Sequence, residues 1–353
     1  MTAVAIIGAG RRIRQNLLPA ITVLGWKPVA ITSRTIASAA EVGEQWDVPA
    51  YASVESLPWN NIEVVVVSVS TTQVAAVLRQ LRQHAPQVDL VLDTPPFAGA
   101  RDLRWAGILR EFKVAVVAED FARFPQFDLM RSALAAGTIG EPLEVTMAHT
   151  GFRYHGTALA RSFFGFPLVR SIHSEMRSRG RQTRFVFEGG ASALVTGNYD
   201  VSIGEVTLRG SSGWLRYQEA DMHNEGLASI GTVQSLREPD GTLTGFSLET
   251  SSGSLSYRPR YLADLRNLGA DATGDFNLLK TCGTVEVLQQ LIDNRAAPYG
   301  TADGIYDAVV SMAARVVPLA IDPGAHIGRL AMKRMGRVAP ALTPVSIQGS
   351  TVS

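Results

Sequence analysis

A single cysteine, Cys282, stands in a chain of 353 residues, which excludes an intrachain disulfide and fits a reducing compartment. It could serve as a nucleophile, but a buried helical thiol is the expected reading. An excess of either charge is also missing. The 33 Lys plus Arg against 32 Asp plus Glu leave a formal +1, so no global field directs the chain to nucleic acid or to a membrane surface. No apolar run approaches the ~18 residues of a membrane span, and the apolar residues at the start read as a strand, not an export signal. What remains is a small-molecule partner and an expected place in the cytoplasm. The 46 % of hydrophobic and 18 % of charged residues are those of a globular protein, and the length suggests about two domains.

The richest local signal lies in the first residues. Val4-Ala-Ile-Ile7 reads as a strand buried on both faces, broken by Gly8-Ala-Gly10 where a helical pattern of Ile13, Leu17, Leu18, Ile21 and Leu24 begins. Strand, glycine turn and helix form the start of a dinucleotide site, because glycine lets the backbone approach a pyrophosphate while free amides and the helix dipole bind its charge. The third glycine of G-x-G-x-x-G is replaced by Ile13, whose branched side chain should hold helix and strand slightly further apart. Arg11, Arg12 and Arg14 fall in the first helical turn, where each cation opposes the dipole by about 0.3–1 kcal/mol unless an anion sits there.

Up to about residue 120, buried strands alternate with helices. Strands are expected at Val29–Thr32, Val64–Val69, Leu90–Asp93 and Val114–Ala118, and helices at Ala37–Gln45, Gln73–His84 and Asp102–Phe112, the pattern of a doubly wound parallel sheet. The ligand crevice then lies at the strands' carboxyl ends, at Ser33, Arg34, Ser70, Thr71, Asp93, Thr94, Glu119 and Asp120. A helix at Phe127–Ala136, capped by Gly137, leads into strand-like segments from Leu143 to Tyr257, among them Ser192–Tyr199, and then into two helices, Phe276–Asp293 and Ala302–Val317. The reading is an α/β chain: a dinucleotide-binding domain over 1–120, an α+β domain over 121–320 with one open, mostly antiparallel sheet, and a C-terminal helix and disordered tail over 321–353. An apolar sheet face left uncovered would drive a homodimer or homotetramer through that sheet.

Together these pieces resemble the glucose-fructose oxidoreductase and inositol dehydrogenase family, Gfo/Idh/MocA. The resemblance rests on Gly8-Ala-Gly10, Asp93-Thr-Pro95, Ala118-Glu-Asp120, Leu134 to Glu141 and the Gly-rich turn in Val206 to Gly213, in that order, over residues 1 to about 320. It implies a Rossmann domain joined to an open α/β domain, and an NAD or NADP cofactor. The family usually carries Glu-Lys-Pro, with the lysine beside the nicotinamide, where this chain has Asp93-Thr94-Pro95. Of the family's Asp-x-Gly-x-His-x-x-Asp motif only the histidine survives, as His155; its other positions fall on Gly151, Arg153 and Ala158.

The expected cofactor site comprises Gly8, Gly10, Arg11, Arg12, Ile13, Ser33, Arg34, Ser70, Thr71, Asp93, Thr94 and Glu119. The strand before Ser33 and Arg34 ends without the carboxylate that would bind a ribose 2′-hydroxyl, which favours NADP over NAD. The expected catalytic set is His155, whose imidazole suits proton transfer near neutral pH, with Tyr154, Thr94 and Asp120. The other histidines show no ligand spacing, and no metal site is expected. The arginine-rich stretch from Arg170 to Arg184 reads as a solvated loop or as a clamp for an anionic substrate. The function expected is hydride transfer between a nicotinamide cofactor and a carbonyl or alcohol of a sugar-like or other small polar molecule. Two alternatives stay open: an imine reductase, which would not need the lysine, and a catalytically weakened NADP-binding sensor or structural protein.

Overall fold

The structure, a computed structural model, describes residues 1–85, 87–97, 99–150, 153–177, 180–197, 204–218, 230–294 and 299–316. These form two compact units. The first takes Met1–Asp120 together with Ala263–Val309, and the second takes Phe121–Leu262 with 310–316.

The first unit is built on six parallel strands: β1 (Ala3–Ile7), β2 (Lys27–Thr32), β3 (Ala50–Tyr51), β4 (Val64–Val67), β5 (Asp89–Leu92) and β6 (Val114–Val117). Their order is β3-β2-β1-β4-β5-β6. β4 is four consecutive valines, all buried, as a strand covered by helices on both faces requires. Val65, Val67 and Leu90 share one core with Leu78 and Leu81 of a helix over Thr71–His84. Each such side chain contributes about 1.5–3 kcal/mol by leaving water. In chain order α1 (Leu18–Val23), α2 (Ile36–Trp46) and α3 (Thr71–His84) follow the first, second and fourth strands, while Ala100–Glu111 is a 3₁₀ run. β3 and the short helix α6 (Leu262–Asn267) carry too few residues to show a period in the sequence.

Residues 11–23 are continuously helical, and Ile13–Leu17 within them form a π-helical turn. The widened turn falls on the position where Ile13, fully buried, takes the place of the third glycine. Asn16, inside this turn, donates to Asn277 Oδ1 at 3.0 Å and to Thr281 Oγ1 at 2.8 Å on α7 (Asp275–Asn294). A buried amide left without partners would be costly, so this network fixes how α7 meets the first helix.

The second unit holds α4 (Pro125–Ala135), α5 (Arg153–Ser162) and a six-stranded sheet of β7 (Pro142–Ala148), β8 (Val169–Arg177), β9 (Gly180–Phe187), β10 (Ser192–Thr196), β11 (Glu205–Gly210) and β12 (Trp214–Gln218). The order is β12-β11-β7-β10-β9-β8, antiparallel except for β7 and β10. A separate three-stranded sheet, β13 (Val233–Arg237), β14 (Leu243–Thr250) and β15 (Gly253–Tyr257), meets α4, so the single broad sheet expected is in fact two. As expected, Gly137 ends α4 in a left-handed conformation, φ +76°.

The stretch from Arg170 to Arg184 is not a loop. Its described residues form the β8–β9 hairpin, with Ile172 and Ser174 buried and Arg170 and His173 exposed. A register shift between Val169 and Ser171 and a buried hydroxyl pair, Ser174 with Thr183, disguise the alternation. The open sheet face is also not the apolar patch expected: it carries ion pairs of Arg184 with Glu144 and Arg216 with Glu205, each at 3.1 Å. Among the described residues no helix is long and apolar enough to cross a membrane. Tyr199 and the C-terminal segment 321–353 lie outside the described residues.

One close approach sets the upper edge of the parallel sheet. Gly8 has φ +126°, and a Cβ there would sit 2.0 Å from the carbonyl oxygen of Ser68. The strain of a side chain at such a φ is about 1–3 kcal/mol before any overlap. Gly8→Ala should therefore lower the midpoint of thermal unfolding by about 4 °C or more. A midpoint within about 1 °C of the parent would contradict this geometry.

Candidate functional site: a cleft at the strand ends

Past the carboxyl ends of β1 and β2 the first unit opens into a cleft of about 720 Å³. The glycine turn forms its floor: Gly8 N–H donates to Thr32 O at 2.8 Å, and at Gly10 a Cβ would meet nothing within 4 Å. Gly8, Gly10, Arg11, Arg12, Ser33, Arg34 and Ser70 of the expected cofactor residues line it. Ile13 lies beneath as core, and Thr71 opens α3 without joining the lining. Sequence reasoning missed Ser38, Ser53 and Gln73, which also line it and which carry no local motif. No aspartate or glutamate is among the lining residues, whereas three arginines are.

The collar after β2 is hydroxyl-rich. Ser33 Oγ donates to Thr35 O at 2.7 Å, and Thr35 Oγ1 and Ser38 Oγ share a hydrogen bond of 2.8 Å. Arg34 makes no ion pair or hydrogen bond among the described residues. The other cations of the first helical turn have partners from the chain itself. Arg11 Nε reaches Gln15 Oε1 at 2.5 Å, and Arg14 reaches Glu41 at 2.5 Å. Hydrogen bonding between Arg14 and Glu41 holds the guanidinium's pKa up and the carboxyl's down, at a solvent-screened site.

Arg12 is different, because it is half sunk into the protein. Its Nε lies 3.2 Å from Asp93 Oδ1 and its Nη2 2.5 Å from Asp120 Oδ2. Ser68 Oγ donates to the other oxygen of Asp93 at 2.6 Å, Thr94 N–H donates to Oδ1 at 3.0 Å, and Thr284 Oγ1 on α7 donates to Asp120 at 3.1 Å. Burial alone would pull the guanidinium's pKa down, but the fields of Asp120 and Asp93 outweigh it, and the net direction is up. The anions that the helix start was expected to attract thus include two of the chain's own carboxylates. Thr94, where the family lysine is expected, brings its backbone N–H to Asp93 and no charge. Glu119 is fully buried after β6.

Tyr154 and His155 belong to the second unit, in the first turn of α5. Tyr154 is buried; its ring meets that of His155 edge-on at 5.5 Å, and His155 lies 5.9 Å from Phe121. Cys282 is buried in α7, and desolvation, helped by Glu286, pushes its thiol up to about 12. Such a thiol is not a nucleophile at neutral pH.

Residues 2–105 match the family model GFO_IDH_MocA, described as an oxidoreductase family with the NAD-binding Rossmann fold. No curated protein matches the chain. Among solved structures, an oxidoreductase from Agrobacterium radiobacter, in complex with NAD+, L-tartaric acid and magnesium, is 15% identical over 92% of this chain and 99% of its own, with a TM-score of 0.68. A levoglucosan dehydrogenase in complex with NADH and L-sorbose is 11% identical over 91% of this chain and 98% of its own, at 0.64. A myo-inositol dehydrogenase from Corynebacterium glutamicum is 13% identical over 89% of this chain and 96% of its own, at 0.62. At these identities the likeness to the solved structures is one of fold, and it extends over both units. Over residues 2–105 the chain thus matches the Gfo/Idh/MocA oxidoreductase family model, which is described by its NAD-binding Rossmann fold.

Proposed function

We propose that the chain is a nicotinamide-dependent oxidoreductase that prefers NADP and acts on a carbonyl or alcohol of a sugar-like or other small polar molecule. The observation that carries the cofactor reading is the cleft of about 720 Å³ with three arginines and no carboxylate in its lining. Its open glycine turn and hydroxyl collar fit the phosphorylated adenosine part of such a cofactor. In that reading amides after Gly10 hold the pyrophosphate, and Ser33 with Arg34 holds the 2′-phosphate by charge-assisted hydrogen bonds. A carboxylate at the collar would select the free 2′-hydroxyl instead. The substrate class draws support from the small hydroxylated ligands of two proteins that share the fold, the hydroxy acid L-tartaric acid in one and the sugar L-sorbose in the other.

The cofactor, when bound, supplies or takes the hydride. The proton that accompanies it is assigned to His155, the one titratable group of the family motif that this chain retains. Its ring is held against Phe121 and Tyr154, which limits its rotamers. The sensor reading draws on Thr94, which brings no cation to Asp93. The imine-reductase reading draws on the same residue, since a protonated substrate nitrogen carries its own charge.

Fluorescence titration should give NADPH a Kd about tenfold or more below that of NADH, and Arg34→Ala should remove most of the difference. Equal dissociation constants in the parent protein would contradict the assignment of the collar. With a panel of keto sugars, keto acids and cyclic imines, His155→Ala should lower kcat by about 10² or more while leaving NADPH binding intact. An unchanged turnover per folded molecule would remove His155 from the proton path. Turnover of imines alone would select the imine-reductase reading, and tight NADPH binding without any turnover would select the sensor.

A further inference from the structure

The sheet reverses direction between β1 and β4: successive strands run outward through β2 and β3 on one side and through β5 and β6 on the other. A dinucleotide laid across such a switch point puts one half over β2 and β3 and the other over the ends of β4, β5 and β6. The two halves of this crevice are unlike. The cleft is lined by residues from Ile7 to Gln80 and by none from the ends of β5 or β6. Over the other half, Arg12 reaches from the glycine turn to Asp93 beyond β5 and to Asp120 beyond β6, with Ser68 beyond β4 bound to Asp93.

We propose that Arg12 is a specificity-determining residue of the nucleotide site, whose bridge to Asp93 and Asp120 covers the half of the crevice that a nicotinamide must enter. The proposal rests on the nucleotide reading above and adds what governs its second half. In the bridged state the protein binds the adenosine and pyrophosphate part of the cofactor, and the nicotinamide end enters only as Arg12 swings out. The bridge is incomplete. Arg12 Nη1 is buried with no hydrogen-bond acceptor, so the bridged state leaves a polar group unsatisfied and its hold on Arg12 is weaker than two ion pairs suggest. A site whose competent state is populated only in part binds with an affinity reduced by that fraction, and the reduction falls on ligands that need the open state alone. A ligand without the nicotinamide does not meet it.

Calorimetric titration with 2′-phospho-ADP-ribose and with NADP+ separates the two halves. The parent protein should bind NADP+ no more than about threefold tighter than the fragment. Arg12→Met removes the bridge but leaves two carboxylates unpaired, so the double variant Asp93→Asn/Asp120→Asn, which uncharges both partners of Arg12 and keeps side chains of the same shape, serves as a second variant. In both, NADP+ should gain about tenfold or more relative to the fragment measured in the same variant. An unchanged ratio in both variants, with fragment binding intact, would overturn the role of Arg12 and leave the nucleotide reading standing. A parent protein that already binds NADP+ tenfold tighter than the fragment would overturn it as well. Failure of the fragment to bind any of the three proteins would overturn the nucleotide reading and the proposal with it.

Discussion

The near contact of two strand ends governs the first unit. β1 and β4 lie side by side at the point where the strand order reverses, and the chain after each must turn away in opposite directions. Only a residue without a side chain fits between Ile7 and the carbonyl of Ser68, and Gly8 takes the positive φ that the turn needs. From that turn follow the direction of the first helix and the opening of the cleft behind Gly10. Ile13 and the π turn show the same constraint relaxed one helical turn later, where a bulky residue is admitted because the helix widens.

Charge is distributed over this frame with a clear asymmetry. Around the cleft the cations outnumber the anions, whereas at the ends of β5 and β6 Asp93 and Asp120 hold Arg12 between them. A buried guanidinium is tolerable only with such partners, because an isolated charge in a medium of low dielectric costs several kcal/mol. The Ser68 hydroxyl and the Thr94 amide orient Asp93, and Thr284 orients Asp120. The chemistry of the two halves of the crevice therefore differs before any ligand arrives. One half offers hydroxyls and free positive charge, and the other offers a closed ion-pair network.

The parts of this arrangement that depend on neighbours in the chain were legible in the sequence. Val4 to Gly10 shows strand and turn because burial on both faces demands an unbroken apolar run, and the collar at Ser33 and Arg34 follows because a parallel strand must end at the crevice. What depends on distant residues was hidden. Nothing around Arg12 announces Asp93, Asp120 or, through the latter, Thr284, which are brought together by strand order and by a helix from the far end of the chain. In the second unit, the β8–β9 hairpin is hidden because the hydroxyl residues Ser174 and Thr183 occupy buried positions where an amphipathic strand usually shows apolar ones. Its ion pair with β7, Arg184 with Glu144, is likewise set by sheet register, which no local motif encodes.

Hydrogen exchange with and without NADPH tests the central claim, that a nucleotide binds at the glycine turn and the collar after β2, most directly. Amides of residues 8–17 and 33–38 should exchange more slowly by about tenfold or more when the cofactor is present, because bound phosphates engage the amides of the turn and hold both segments closed. Amides of β11 and β12, in the second unit's sheet, should be unaffected. Unchanged exchange at both segments under saturating NADPH, or protection confined to the second unit, would contradict the account.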